Sequence, residues 1–135
     1  MHLTKVTLKN YGVYRDKVEF DLTTTPDKPV ILIGGTNGAG KTTLFESILI
    51  GFYGQSYFDK KTTRKEYEKF LGNKVHRYLG TTAAADSTSI VVDFKFYHNG
   101  VVDDYTVDRT WYDNDGRLTE ELKIKKNNKR LDAVE

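Results

Sequence analysis

The chain has 135 residues, of which 38% are hydrophobic and 30% charged, with a formal net charge of +2 and no cysteine. This balance predicts one soluble globular domain and excludes a fibrous or wholly disordered protein. The lack of cysteine excludes disulfide frameworks, cysteine zinc sites and thiol catalysis. Neither a membrane-length apolar run nor a signal peptide is visible, so we expect a cytoplasmic protein. The near-neutral charge does not by itself indicate nucleic-acid binding.

Short strands are predicted at the start of the chain. Alternating apolar and polar residues predict strands at 3–9 and 18–22, with turn-forming residues at 10–12 between them. A polar loop at 23–29 contains both prolines of the chain. The unbroken apolar run VILI at 30–33 then predicts a strand covered on both faces, as in the middle of an α/β sheet.

A glycine-rich segment directly after this run carries the clearest chemical signal. Residues 35–42 read GTNGAGKT, which matches the phosphate-binding pattern G-x-x-x-x-G-K-[ST] between a predicted strand and a predicted helix. In this pattern the glycines let backbone N–H groups converge on phosphate oxygens. The lysine adds a positive charge, and the hydroxyl binds magnesium. The candidate nucleotide-binding residues are Gly35, Thr36, Asn37, Gly38, Ala39, Gly40, Lys41, Thr42 and Thr43, with Thr42 as the candidate magnesium ligand.

Two helices are predicted after this segment. Apolar residues at helical spacing predict a mostly buried helix over 41–53, in which Gly51 marks a close packing contact. Thr63 followed by Glu66 matches a capping box and predicts the start of a second helix. The small and polar residues of 72–88 predict a loop.

A group of antiparallel strands is predicted over 88–125. Apolar residues alternate with polar ones from Ile90 to Phe96, and Asn99 with Gly100 gives the strongest hairpin-turn signal. The further predicted elements are a strand with Tyr105, Val107 and Trp111 on one face, a turn at 113–116, a strand at 117–125 and a frayed basic end at 123–130.

Catalytic partners for the phosphate loop are not evident in the sequence. A nucleotide hydrolase needs a carboxylate that holds magnesium. The nearest candidate is Asp93, but it lies opposite the apolar face of its strand and is followed by Phe94, which favours a solvent-facing residue. Arg109 either reaches toward the nucleotide or, as the preferred interpretation, stacks on an aromatic ring. The basic cluster at 60–69 is interpreted as a solvated helix face in preference to a DNA contact.

Several segments together resemble a known family. Similarity to the N-terminal part of the SMC-like ATPases, the ABC-type heads of coiled-coil DNA repair and chromosome proteins, is carried by LTKVTLKNYG (3–12), the strand at 18–22 and NGAGKTTLFE (37–46). Within that group the chain is most similar to the DndD family, the ATPases of bacterial DNA phosphorothioate modification. That narrower similarity is carried by GGTNGAGKTT (34–43), GFYG (51–54), RKEY (64–67) and RTW (109–111).

The resemblance implies a fold, ligands and partners. The fold is an α/β P-loop NTPase lobe, an ABC- or SMC-type head fragment over 1–135 with a mixed sheet and an antiparallel β subdomain at 88–125. The ligands are ATP and Mg²⁺, sandwiched between two heads. The partners are a second head or the C-terminal lobe of the same protein, DNA and other DNA-modification subunits, with no membrane. The signature motif, the acidic pair and the coiled coil would follow in a longer chain, so we expect this fragment alone to be inactive.

Two other hypotheses stay open at this point. The first is a complete small P-loop kinase or nucleotide hydrolase that uses Asp93. The second is a non-catalytic module that docks a partner through residues 55–80 and the strands after residue 88.

Overall fold

A computed structural model describes residues 1–76, 86–114 and 117–131. In chain order the elements are β1 (His2–Tyr11), β2 (Tyr14–Asp21), α1 (Lys41–Tyr53), a 3-10 turn (Gly54–Tyr57), α2 (Arg64–Lys74), β3 (Ser87–His98), β4 (Val101–Asn114), β5 (Arg117–Lys126) and β6 (Lys129–Leu131). Within the described ranges, neither helix has the length and apolar character needed to cross a membrane.

One six-stranded sheet organises the chain, in the order β2-β1-β3-β4-β5-β6. Every strand pair in it is antiparallel, so the described sheet lacks the parallel pairing of the predicted mixed sheet. The strands predicted over 88–125 are continuous with β1 and β2, because β1 pairs with both β2 and β3. The two helices lie between β2 and β3 in the sequence.

The core lies between one face of this sheet and the helices. Alternation places Val6 and Leu8 of β1 and Ile90 and Val92 of β3 on the helix side, all fully buried. Helix α1 approaches β3 so closely at Gly51 that a Cβ there would lie 2.9 Å from Ile90 Cγ2. The predicted close contact at this glycine is therefore confirmed.

Local signals set the ends of α2 and of the central hairpin. Thr63 Oγ1 accepts the Glu66 N–H at 3.2 Å, and the Glu66 carboxylate accepts the Thr63 N–H at 2.7 Å, so the predicted capping box is confirmed. Asn99 and Gly100 have φ angles of 47° and 76° and join β3 to β4, which confirms the predicted turn.

Predictions near the ends of elements have mixed outcomes. The loop predicted at 72–88 begins later, because α2 continues to Lys74, and most of the rest of it lies outside the described residues. The turn predicted at 113–116 lies partly outside them too. The prediction of a frayed basic end at 123–130 is wrong, because Lys125 pairs with Arg130 in a β5–β6 hairpin. Backbone hydrogen bonds to β5 order this charged segment although it contributes little to the core.

The apolar run at 30–33 does not form the predicted strand. Val30 and Leu32 are 80% and 92% exposed, whereas Ile33 packs partly against the core. A strand covered on both faces needs hydrogen-bonding neighbours, and none of the described strands pairs with these residues. The prediction of a strand covered on both faces is therefore wrong for this chain. Ile33 faces the core, whereas Val30 and Leu32 are exposed.

Candidate functional site

The predicted phosphate loop is a bent segment that leads directly into α1. The N–H of Ala39 donates to Thr36 O at 3.1 Å and closes a turn at the tip of the loop. Gly38 and Gly40 have φ angles of 82° and 99°, a left-handed backbone that glycine adopts without strain. Helix α1 then begins at Lys41, as predicted, so the loop and the helix start form one continuous feature.

The start of α1 leaves its first backbone N–H groups open. No side chain caps the helix at Gly40, and no acidic residue lies in its first turn. The free N–H groups and the helix dipole make such an end favourable for an anion. Thr42 lies in this first turn with an exposed side chain. The local chemistry therefore favours a negatively charged ligand with oxygen atoms.

Lys41 points its amine back into the bend of the loop. Its Nζ donates to the carbonyl oxygens of Gly35 and, at 3.3 Å, of Thr36. Both acceptors are neutral carbonyl oxygens, so neither of these contacts places a carboxylate against the ammonium group. Ligand oxygens that entered the bend could replace one or both carbonyls as acceptors.

Residues at the turn between β1 and β2 pack against the predicted phosphate loop. Tyr14 Oη donates to Gly40 O at 2.9 Å, and burial raises the pKa of this phenol above its ordinary value. A Cβ on Gly40 would lie 2.6 Å from the same Oη, and one on Gly12 would lie 2.9 Å from Thr43 Cγ2. Sequence reasoning missed this support, although the glycines on both sides of the contact were a visible signal.

A cavity of about 350 Å³ opens at this place. Its lining residues are Thr36, Asn37, Gly38, Gly40, Lys41, Thr42 and Thr43 of the predicted set, together with Val13. The other two predicted residues shape the loop instead, since a Cβ on Gly35 would lie 3.2 Å from Ala39 Cβ. The structure thus brings all nine predicted residues into one feature, seven of them at the cavity wall.

Asp93 is not brought to this cavity. Its neighbour Phe94 faces α1, with its ring 5.5 Å from that of Phe52, so Asp93 lies on the opposite face of the sheet. There it accepts a hydrogen bond from Thr106 Oγ1 at 2.5 Å and lies 3.7 Å from Lys5 Nζ. Among the residues that can be described, no three His, Asp or Glu side chains are grouped to hold a metal ion.

Comparison with known proteins assigns the chain to a family. Residues 5–134 match the family described as AAA domain. The chain belongs to this family. It is 33% identical over 108 residues, 79% of its length, to the DNA double-strand break repair Rad50 ATPase of Archaeoglobus fulgidus. It is 32% identical over 62 residues, 46% of its length, to the SbcC component of the nuclease SbcCD from Vibrio cholerae. These matches span 9% and 6% of the two relatives, so this AAA domain corresponds to a small part of each.

From the sequence, Arg109 of this AAA domain is interpreted as a nucleotide contact or as a partner for an aromatic ring. In the structure its guanidinium instead makes hydrogen bonds and an ion pair. Its guanidinium donates to Gly51 O and Phe52 O at the C-terminal end of α1 and pairs with Glu120. The residue is buried, with 8% of its surface exposed. Because α1 has 13 residues with a rise of about 1.5 Å each, Arg109 lies roughly a helix length, about 20 Å, from the phosphate loop.

An apolar groove of about 450 Å³ runs beside α1 of the AAA domain. Its walls include Ile31 and Ile33 of the apolar run and Phe45 and Leu49 of the helix. Phe45 is 57% and Leu49 42% exposed, so the prediction of a mostly buried α1 is wrong for this stripe. Among the described residues, packing buries only the opposite side of α1, which carries Leu44, Ser47, Ile50 and Gly51.

Proposed function

We propose that this chain binds ATP with Mg²⁺ through residues 35–43 and forms part of an ATPase head. The observation that carries the proposal is the meeting of three cationic or N–H-rich features at one cavity: the Lys41 amine, the uncapped start of α1 and the glycine bend. Each offers donors to phosphate oxygens and none offers a carboxylate. Membership of the AAA domain family supports a nucleotide ligand.

The roles of the residues follow from their positions. Lys41 would give up its contacts with Gly35 O and Thr36 O and bind the β- and γ-phosphates. The backbone N–H groups of the loop and of the first turn of α1 would bind the remaining phosphate oxygens. Thr42 would supply its hydroxyl to magnesium, which bridges two phosphates when it is bound. The exposed hydroxyl at the cavity wall fits that role.

The acidic group that a complete ATPase needs would come from outside this chain. Asp93, the nearest candidate in the sequence, lies on the far face of the sheet. The two relatives are more than ten times as long as the region that matches them. We therefore propose that residues 1–135 are the N-terminal lobe of a head, with 88–125 as its antiparallel part. A second lobe or head would add the signature and acidic motifs.

The uncovered apolar surface supports such a partner. Ile31 of the apolar run and Phe45 and Leu49 of α1 are exposed and line one groove. Val30 and Leu32 of the same run are exposed as well. Burying apolar surface stabilises an interface by about 25 cal/mol for each Å². A second lobe that supplied strands next to 30–33 would satisfy this surface and complete a mixed sheet.

DNA is the proposed substrate of the complete head. The named relatives are a double-strand break repair ATPase and part of a nuclease, which supports a role in DNA repair or processing. The sequence segments that resemble the DndD family lead to a narrower proposal, DNA phosphorothioate modification together with other modification subunits. Repair and modification differ in the reaction that accompanies ATP hydrolysis. Cellular DNA that loses phosphorothioate linkages when the gene is deleted would favour modification.

Nucleotide binding can be tested on the chain directly. Calorimetry with Mg-ATP should detect binding to the unmodified chain, and Lys41→Ala should weaken it at least about 10-fold, since a charge-assisted hydrogen bond contributes about 1.5–3 kcal/mol. Lys65→Ala is the matched control, because Lys65 is an exposed lysine on α2. No binding at millimolar ATP or ADP would overturn the proposal in favour of a partner-docking module.

An assay of ATP hydrolysis by the isolated chain tests the remaining alternative, which is a complete small P-loop kinase or nucleotide hydrolase. We expect negligible turnover, because none of the described residues that line the cavity at the loop is acidic. Robust turnover that is lost in both Lys41→Ala and Asp93→Asn would instead support a complete small P-loop enzyme.

A further inference from the structure

The C-terminal end of α1 is held by a cation from another element. Helix α1 has no basic residue in its own last turn, although the last carbonyls of a helix lack partners within it. Arg109 of β4 fills this place: its Nε donates to Gly51 O at 3.1 Å and its Nη2 to Phe52 O at 3.4 Å. A cation here also complements the negative end of the helix dipole.

The guanidinium is itself fixed by an ionic network. Glu120 of β5 pairs with Arg109 Nη1, and its other carboxylate oxygen accepts Arg64 Nη1 from α2 at 3.2 Å. The Arg109 and Glu120 side chains are only 9% and 13% exposed, so solvent screens this pair weakly. The network therefore connects the end of α1 to β4, β5 and α2 at one point.

The backbone after α1 is shaped to admit this cation. At Gly54 the φ angle is 54°, and a Cβ would lie 2.7 Å from Arg109 Nη1 and 2.9 Å from its Cζ. Any side chain at this position would have to displace the guanidinium. The glycine that ends the helix thus leaves the space that Arg109 occupies.

The two ends of α1 are held by different parts of the sheet. At the start, Tyr14 of β2 donates to Gly40 O. At the other end, Arg109 contacts the last-turn carbonyls. A helix of 13 residues behaves as a stiff rod over this length, so a shift or tilt at one end moves the other. Lys41 and Thr42 lie in the first turn and follow any such movement.

We propose that Arg109, held by Glu120, is a positioning residue for the phosphate loop. It touches no nucleotide and acts by fixing the axial position and tilt of α1, and through them the placement of Lys41. This inference rests on the proposed nucleotide site. A residue that acts through a packed element typically changes coupling by about 0.5–2 kcal/mol, which corresponds to roughly 2- to 30-fold in a dissociation constant.

The main test compares nucleotide affinity with stability in the full chain. Arg109→Lys keeps the charge but lacks the planar fork that contacts both carbonyls and Glu120. We expect its Mg-ATP dissociation constant to rise roughly 2- to 30-fold at a temperature where the protein is fully folded. Glu120→Gln should weaken binding in the same direction by a smaller factor. Asn99→Ala, which strains the β3–β4 turn at a φ of 47° and lies outside this network, is the control that lowers stability without a change in affinity.

A spectroscopic readout separates positioning from a general loss of stability. The Nε–H of Arg109 donates inside the protein and should give a slowly exchanging NMR signal in the unmodified chain. Mg-ATP should shift that signal, because the coupling between two sites is reciprocal. In Lys41→Ala, nucleotide at the same concentration should leave it unchanged.

The outcomes distinguish this inference from the proposed function. An unmodified chain that binds no nucleotide refutes the proposed site itself. An unmodified chain that binds Mg-ATP, with an unmoved Arg109 Nε–H signal or with unchanged affinity in folded Arg109→Lys, overturns the positioning role alone. If Arg109→Lys fails to fold, Glu120→Gln and the NMR signal of the unmodified chain still decide the matter.

Discussion

The contact between α1 and β3 at Gly51 makes the sharpest prediction about stability. Alanine is a better helix former than glycine by about 1 kcal/mol, so helix propensity alone would make Gly51→Ala stabilising. The added methyl group, however, would lie 2.9 Å from Ile90 Cγ2 and 3.1 Å from Val92 Cγ2. Both neighbours are fully buried and β-branched, so they cannot rotate away easily.

The sign of the effect follows from comparing the two magnitudes. Overpacking a well-packed core costs about 1–3 kcal/mol, which exceeds the gain in propensity. We expect Gly51→Ala to lower the free energy of unfolding by up to about 2 kcal/mol. Gly72 on α2 is the matched control, because a Cβ there meets nothing within 4 Å. The same substitution at that position should stabilise the protein by up to about 1 kcal/mol.

Urea and thermal denaturation of the two variants provide the assay. For a chain of 135 residues, 1 kcal/mol shifts Tm by about 3–4 °C. Gly51→Ala should therefore melt up to about 8 °C below the unmodified chain, and Gly72→Ala up to about 4 °C above it. If both variants were equally stable, or if Gly51→Ala were the more stable one, the close approach of α1 to β3 would be refuted.

Two further predictions concern the cap of α2 and a buried phenol. Thr63→Ala should destabilise the protein by about 1 kcal/mol in urea, whereas Thr63→Ser should cost little. The Thr63 N–H lowers the pKa of Glu66, so this contribution is present above the ordinary glutamate pKa of about 4.3 and is lost as pH falls below it. Glu66→Gln should reduce the loss of unfolding free energy at low pH. An equal loss in the variant and the unmodified chain would contradict the capping box. Burial raises the pKa of Tyr11, so the free energy of unfolding should decrease as pH rises above about 10, and less so in Tyr11→Phe. Equal alkaline slopes in circular-dichroism melts would count against the buried phenol.

The elements that the sequence predicted well depend on neighbours in the chain. The start of α1 at Lys41, the capping box at Thr63 and the turn at Asn99 are each specified by residues within a few positions of one another. Backbone conformation and local hydrogen bonds decide such features, so they are visible in one sequence. The glycine bend at Gly38 and Gly40 directly before α1 is local in the same sense.

The features that sequence reasoning missed depend on residues far apart in the chain. The apolar run at 30–33 carries a strand-like composition, but a strand forms only beside a partner, and the described residues provide none. Arg109 reaches a carbonyl 58 positions away in the sequence. Tyr14 contacts Gly40 across 26 positions. Neither contact leaves a periodic or local pattern, so each required the folded arrangement.

The pairing of β1 with β3 has a consequence for synthesis of the protein. Leu8 pairs with Ile90, whereas β3, β4 and β5 each pair with the next strand in the chain. A nascent chain that leaves the ribosome therefore exposes β1 and its β2 hairpin before their central neighbour exists. At 5–20 residues per second that interval lasts roughly 4–16 s. Loop closure across this distance is also entropically slower than hairpin formation. Residues 35–43 lie inside the segment that this pairing closes, and α1, which follows them, reaches its contact with Ile90 at Gly51 only once β3 has been made.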